Sequence, residues 1–147
     1  MSGRGPILGV DLGEKRIGLA VSDAAATIAF PAGMVLSQGR ARDIALLREL
    51  VAERGIVRIV VGLPLHLDGR PSPGSQAAQR FAAALGEATG VPVELLDERW
   101  TSRAAERSLR ESARGRSRRR EAVDEVAATL LLRSYLERAL APQVSRE

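Results

Sequence analysis

The chain has 147 residues, of which 45% are hydrophobic and 27% charged, a composition typical of one globular domain and unlike that of disordered or collagen-like proteins. It contains no cysteine, which excludes disulfides, thiol nucleophiles and zinc sites built on thiolates. The net charge is only +4, but residues 103–120 carry eight arginines against two glutamates, and this basic segment predicts a phosphate-rich partner.

The apolar N-terminal region predicts a hairpin of two antiparallel strands. Alternation at a period of two gives a strand over residues 7–12, a turn over 13–16 and a returning strand over 17–22. A third strand is expected at residues 33–36, and Pro31 indicates that it is irregular or lies at the edge of the sheet.

The rest of the chain predicts an alternation of helices and strands. Apolar residues spaced as on one helix face give a helix over residues 41–54, and an unbroken apolar run at 57–62 is typical of a parallel strand buried on both faces. Ser72 and Pro73 are typical of an N-cap and a first helical turn. The later elements are a helix to residue 89, a strand over 93–97, a short helix over 101–113, a mobile loop over 115–120, a helix over 121–140 and a frayed tail over 141–147.

This element order is the ribonuclease H-like α/β pattern, a mixed five-stranded sheet with helices on both faces. We expect it to form a single domain over residues 1–140, with the strand at 7–12 in the centre, next to the parallel strand at 57–62. Asp11 then lies in the middle of the sheet. A charge on a buried sheet face is costly unless it is paired, hydrogen-bonded or bound to a cation, whereas a strand-end acid can simply face solvent.

Two further acidic sites fall at the ends of elements that this topology brings near Asp11. Asp97 and Glu98 follow the strand at 93–97, and since successive strand residues face opposite ways, only one of them reaches the site; we favour Glu98. Asp124 lies in the first turn of the last helix, where the helix dipole alone would also favour an acid. Three converging carboxylates suit Mg²⁺ or Mn²⁺, and two such ions can clamp an in-line phosphoryl displacement.

Arginines close to these acids are candidates for contact with nucleic acid. Arg99 either holds a phosphate and stabilises developing charge or pairs with a nearby acid. Aromatic residues make up only 3% of the chain, so a base-stacking platform is not expected and recognition should run through phosphates. The arginines of the predicted loop are the strongest candidates for backbone contact, the alternative being a merely solvated loop: Arg114, Arg116, Arg118, Arg119 and Arg120.

Four motifs in order, GVDLGEKRIGLAVSD, IVVGLPLHLDG, LLDERWTS and AVDEVAATLLLRSYLE, span most of the chain. Together they resemble the YqgF-type Holliday junction resolvase-like family, the pre-16S rRNA nucleases. The resemblance implies a ribonuclease H-like fold and a nuclease that depends on Mg²⁺ or Mn²⁺ held by Asp11, Glu98 and Asp124. It also implies hydrolysis of phosphodiester bonds in 5′-end maturation of the 16S rRNA precursor, a step of ribosome biogenesis.

Two other functions stay open at this stage. A Holliday junction resolvase, or a repair nuclease acting on branched DNA, would need a dimer that presents two active sites. A non-catalytic nucleic-acid-binding factor acting on transcription or on ribosomes is disfavoured by the three acids. We expect nucleic acid as the partner, with precursor rRNA favoured over branched or single-stranded DNA, the ribosome as a further partner, and a monomer or weak homodimer. No apolar stretch suits a membrane span or a signal peptide, so we expect a cytoplasmic protein without a membrane partner.

Overall fold

The computed structural model describes residues 5–64, 66, 68–97 and 116–140, with the side chains of the last helix described over 126–138. In this part of the chain, five strands form one mixed sheet in the order β3-β2-β1-β4-β5, with β1, β4 and β5 parallel and β2 antiparallel to both of its neighbours. The elements are β1 (Ile7–Leu12), β2 (Arg16–Ser22), β3 (Ala29–Leu36), α1 (Arg40–Arg54), β4 (Arg58–Leu63), α2 (Pro73–Thr89), β5 (Val93–Asp97) and α3 (Arg116–Leu140).

Each face of the sheet is covered by helices, which confirms the predicted architecture. Burying apolar side chains on both faces supplies the main free energy of folding, and the central strands β1 and β4 contribute to both cores. On one face, α1 and α2 bury a core that includes Leu8, Val10, Ile59, Val61, Leu47 and Leu85. On the other, which we call the α3 face, the core consists of Ile7, Ala20, Val60, Leu96, Ala128, Leu131, Leu132 and Leu136.

Helix α2 begins and ends where the sequence predicts. The Ser72 side chain accepts a hydrogen bond from the Ser75 backbone N–H at 3.0 Å, and the Ser75 hydroxyl accepts one from the Ser72 N–H at 2.9 Å. These reciprocal bonds form a capping box, and Pro73 occupies the first turn. The helix ends at Gly90, whose φ of 73° is the left-handed conformation that glycine adopts at little cost.

The start of α3 at Arg116 corrects two predictions, the loop before the helix and the placement of Asp124 in its first turn, since position 124 lies in the third turn. A mobile loop was predicted over residues 115–120, but α3 begins at Arg116, so residues 116–120 are helical. Arginine is among the better helix formers, and adding a residue to an existing helix is far easier than starting one. Because α3 is anchored in the core between Ala128 and Leu136, propagation towards its N-terminus outweighs the unfavourable placement of cations at that end.

Strand β3 begins at Ala29, four residues earlier than predicted. It lies at the edge of the sheet, where proline is tolerated, so Pro31 does not end the strand. The register with β2 shifts between Gly18 and Ala20, and Gly33 of β3 has a φ of 94°. This irregular pairing agrees with the predicted irregular edge strand.

Several predicted features lie outside the described residues. They are the short helix over 101–113, the tail over 141–147, and the residues Glu98, Arg99 and Arg114. Among the helices that the structure does describe, none combines the length and the apolar character needed to cross a membrane.

Candidate active site

Asp11 lies near the carboxyl end of the central strand β1, where the sequence predicts it. It is directly opposite Gly18 of β2 and is half-buried. Because strand residues alternate between faces, Ile7, Gly9 and Asp11 share one face, and Ile7 belongs to the core beneath α3. The carboxylate is therefore on the α3 face, next to a residue that has no side chain.

Gly9 allows α3 to pack closely against β1. A Cβ atom at this position would lie 3.0 Å from the Cβ of Leu132 and 3.4 Å from the carbonyl oxygen of Ala128. The distance to the Leu132 Cβ is shorter than ordinary van der Waals contact. The Ala128 oxygen is part of the helix backbone and the Leu132 Cβ is bonded to it, so neither atom can move without the helix. The spacing between α3 and the strand that carries Asp11 thus depends on glycine at position 9.

We expect Gly9→Ala to lower the free energy of unfolding by about 1–3 kcal/mol, because an extra methyl forces α3 away from the sheet. The measurement is chemical denaturation. Gly86→Ala is the matched control, since its Cβ would lie 3.5 Å from Val93 Cγ2, an ordinary contact, and alanine favours the helix. Equal stability of the two variants would contradict the close packing inferred here.

A polar cluster joins the C-terminal half of α3 to the amino ends of two strands. The Tyr135 hydroxyl donates to Glu94 Oε2 at 2.8 Å, and Arg58 Nη1 contacts both Glu94 and, at 3.3 Å, the Tyr135 hydroxyl oxygen. Burial, and then the hydrogen bond to Glu94, raise the pKa of Tyr135, while the hydrogen bond to Glu94 raises the pKa of Arg58. The phenol therefore stays protonated and the guanidinium stays charged.

This cluster fixes the direction of α3 across the sheet. Arg58 and Glu94 lie at the amino ends of β4 and β5, whereas Ala128 packs over Gly9 in the middle of β1. Residues that precede Ala128 in α3 therefore lie towards the carboxyl end of β1. Position 124, one helical turn before Ala128, is at the same end of the strand as Asp11; the Asp124 side chain is outside the described set.

Strand β5 places Asp97, the first of the two adjacent acids, at its end. Leu96 belongs to the core of the α3 face, while Val93 packs against the opposite core, so the alternation turns Asp97 away from the face of Asp11. The prediction that one of the pair reaches the site concerns Glu98, which lies outside the described residues. Glu98, the residue favoured from sequence, stays a prediction.

The basic segment enters the described structure at the start of α3. Arg116, Arg118, Arg119 and Arg120 form the first turns of the helix, one to two turns before position 124. At 1.5 Å of rise per residue, position 118 lies about 9 Å beyond position 124, further from the middle of the sheet. The helix backbone thus brings these positions to the edge that holds Asp11, and their side chains are not described.

Arg16 is a basic residue at this edge that was not among the predicted site residues. It opens β2 after the tight turn in which the Gly13 N–H donates to the Arg16 carbonyl at 2.8 Å. Alternation along β2 places Arg16 on the same face as Gly18, and therefore on the face of Asp11. The sequence signal was its place in the turn next to Asp11, which was interpreted only as turn geometry.

Within the described ranges, no group of three or more histidine, aspartate or glutamate side chains is placed to hold a metal ion. The three predicted metal ligands are not all within those ranges, because only Asp11 has a described side chain. The predicted ligand set therefore stays a prediction.

Comparison with known proteins identifies relatives over nearly the whole chain. The family model described as "RuvX: Holliday junction resolvase" matches residues 5–138. A protein of Chloroflexus aggregans named "Putative pre-16S rRNA nuclease" is 47% identical over 131 residues, which cover 89% of this chain and 92% of that protein. A protein of the same name from Syntrophomonas wolfei is 43% identical over 131 residues, covering 89% and 93%.

Solved structures similar to this one include two resolvases. Thermus thermophilus RuvC in complex with a Holliday junction substrate superposes with a TM-score of 0.61 at 15% identity, covering 95% of this chain and 99% of that chain. The fowlpox virus Holliday junction resolvase gives a TM-score of 0.57 at 16% identity, covering 92% and 99%. At these identities the likeness is one of fold, and it agrees with the predicted ribonuclease H-like architecture.

Proposed function

The chain belongs to the RuvX Holliday junction resolvase family, and from this membership we propose that it is a metal-dependent nuclease. Its reaction is hydrolysis of phosphodiester bonds in 5′-end maturation of the 16S rRNA precursor. The observation that carries the proposal is the position of Asp11, half-buried at the carboxyl end of the central strand on the α3 face. The names of the relatives that are 47% and 43% identical support precursor rRNA as the substrate.

Asp11, Glu98 and Asp124 are the proposed ligands of Mg²⁺ or Mn²⁺. The carboxylate of Asp11 fits such an ion, because hard divalent cations prefer oxygen ligands and the group lies at the end of a rigid strand. Two features of the backbone support Asp124 and Glu98 as the other ligands. Position 124 of α3 lies at the same end of the sheet as Asp11, and the face of β5 opposite to Asp97 is the face of Asp11. When bound, the ions activate water and neutralise charge on the phosphate. The three carboxylates hold and orient them, while Arg99 binds a phosphate oxygen of the substrate.

The N-terminal turns of α3 are the proposed contact with the nucleic-acid backbone, together with Arg114. Residues 103–120 have a net charge of +6, and the helical positions 116–120 lie beyond the edge that holds Asp11. A cationic helix end at this position would attract the strand and hold it across the site through its phosphates. Contacts of this kind do not depend on base identity.

Replacing Arg118, Arg119 and Arg120 by alanine is expected to weaken RNA binding and reduce the slope of log affinity against log salt by about 2, since each phosphate contact to a single strand contributes roughly 0.7. Fluorescence anisotropy at a series of salt concentrations measures this. Replacing Arg40, Arg42 and Arg48 instead, three exposed arginines of α1 on the opposite face, is the control with the same change in charge. If the slope of log affinity against log salt is the same in the two triple variants, the α3 arginines do not contact the RNA backbone.

A resolvase acting on four-way DNA junctions is the second candidate, supported by the description of the family. It requires a homodimer with two active sites, because the two strands to be cut are related by symmetry. The first candidate, the nuclease that matures precursor rRNA, needs only a monomer or weak homodimer. It would act in the cytoplasm as a single domain over residues 1–140.

Single-turnover cleavage of a labelled 16S precursor and of a four-way DNA junction, side by side, tests both candidates. Each reaction is run with Mn²⁺ and with EDTA. Metal-dependent cleavage of the precursor alone supports the first candidate, and cleavage of the junction alone supports the second. If neither is cut while both are bound, the protein is a non-catalytic binding factor.

A further inference from the structure

The Nε atom of Arg16 is buried and has no hydrogen-bond partner in the part of the chain that the structure describes. An unpaired charged donor costs folding free energy, and such groups in folded proteins are usually satisfied by a partner. The position of Arg16 indicates what that partner is.

Arg16 is on the same face and at the same edge of the sheet as Asp11. It lies two residues, or about 7 Å, before Gly18, the residue directly opposite Asp11. Its backbone is fixed on both sides, by the Gly13 N–H on its carbonyl oxygen and by pairing with Leu36 of β3. Helix α3 packs against β2 and β3 on this face, so Arg16 is on the side of the sheet covered by the helix that begins with the basic positions 116–120.

We propose that Arg16 is a positioning residue that binds a phosphate of the nucleic acid next to the bond to be cut. This inference rests on the proposed nuclease function and adds a residue to its site. The guanidinium has donors in a fixed planar arrangement that matches two oxygens of one phosphate, and partial burial strengthens such a bond. Held by the half-exposed guanidinium, a phosphate fixes the position of the adjacent phosphodiester bond relative to Asp11.

The competing explanation is that Arg16 has a structural role within the protein. The two roles have opposite effects on stability. Removing one member of an internal ion pair destabilises the fold, whereas replacing a half-buried arginine whose Nε has no partner by an apolar side chain of similar size is neutral or stabilising. If Arg16 binds the ligand, replacing it by an apolar residue should lower activity while stability stays the same or rises.

The test compares Arg16→Met and Arg16→Lys with Arg48→Met, a control on an exposed arginine of α1 on the opposite face of the sheet. For Arg16→Met we expect an unchanged or higher Tm, a fall in single-turnover cleavage of the 16S precursor by about 100-fold, and a salt slope of binding reduced by roughly 0.7. Arg16→Lys should restore the slope but not the rate, because lysine keeps the charge and loses the planar pair of donors. Arg48→Met should match the wild type in Tm, in cleavage rate and in the salt slope of binding.

Two results would overturn the inference. One is an Arg16→Met variant with wild-type cleavage and salt slope; the other is a Tm that falls in parallel with activity, which would identify a structural ion pair. The binding measurement keeps the inference separate from the proposed function, because it does not require cleavage. If the wild type binds the precursor but cuts nothing, the nuclease proposal fails, while a reduced salt slope in Arg16→Met still identifies a phosphate contact.

Discussion

Asp11→Asn is expected to abolish metal-dependent cleavage while leaving the fold intact. Asparagine has nearly the same shape, but it lacks the negative charge and one of the two oxygens with which a carboxylate binds a hard cation. Removing an outer partner of a metal ligand already costs about 10- to 100-fold, so loss of the ligand itself should exceed roughly 100-fold. The measurement is the single-turnover rate on the favoured substrate, with Mg²⁺ or Mn²⁺ in excess.

Circular dichroism and thermal melting show whether Asp11→Asn is folded. We expect its Tm to be equal to or above that of the wild type. The substitution removes one negative charge from a site proposed to hold two more carboxylates, and so reduces the repulsion between them when no metal is bound. Glu49→Gln is the control, an exposed acid on α1 across the sheet that loses the same charge. Full activity in Asp11→Asn would remove the proposed metal site, and loss of activity in Glu49→Gln would show that overall charge is responsible.

Glu98→Gln and Asp97→Asn form a pair whose results should differ by at least about 100-fold. Strand alternation turns Asp97 towards the α2 side of the sheet, so its amide variant should cleave nearly as fast as the wild type. Glu98 is the proposed metal ligand, and its amide variant should lose metal-dependent cleavage. The same single-turnover assay measures both, and titration with Mn²⁺ shows whether the lost activity reflects weaker metal binding.

The opposite outcome in this pair would also be informative. If Asp97→Asn loses activity and Glu98→Gln keeps it, Glu98 is not the ligand, and Asp97 acts on the site although the alternation of β5 turns it to the opposite face. If both lose activity, the two acids act together, one as a ligand and the other as its support. Only the combination of an active Asp97→Asn and an inactive Glu98→Gln supports the proposed ligand set.

Much of the fold is predictable from sequence because its signals are local and strong. The bounds of β1 and β5 were predicted to the residue, since an apolar run with alternation or turn residues at its ends specifies a strand. The same holds for α2, where Ser72 and Gly90 supply the cap at each end. The position of Asp11 on the central strand followed from the order of the elements alone.

The features that were missed depend on tertiary contacts. The start of α3 at Arg116 depends on packing ten and more residues further along, which no local pattern of arginines reveals. The early start of β3 depends on its place at the edge, where Pro31 is tolerated. The burial of the Arg16 Nε is visible only in the folded structure, because the sequence around it indicates nothing more than a hairpin turn.

The irregular pairing of β3 has a consequence for solubility. This strand leaves one edge of the described sheet open, and it exposes two large apolar side chains, Phe30 at 47% and Leu36 at 61%. An open, apolar edge is a template on which strands of other molecules can add, the first step towards aggregates. Pro31 removes a backbone donor from that template, and the register shift near Gly33 interrupts its regular hydrogen-bonding pattern. The same irregularities that made β3 hard to delimit from sequence thus protect the protein from ordered self-association at high concentration.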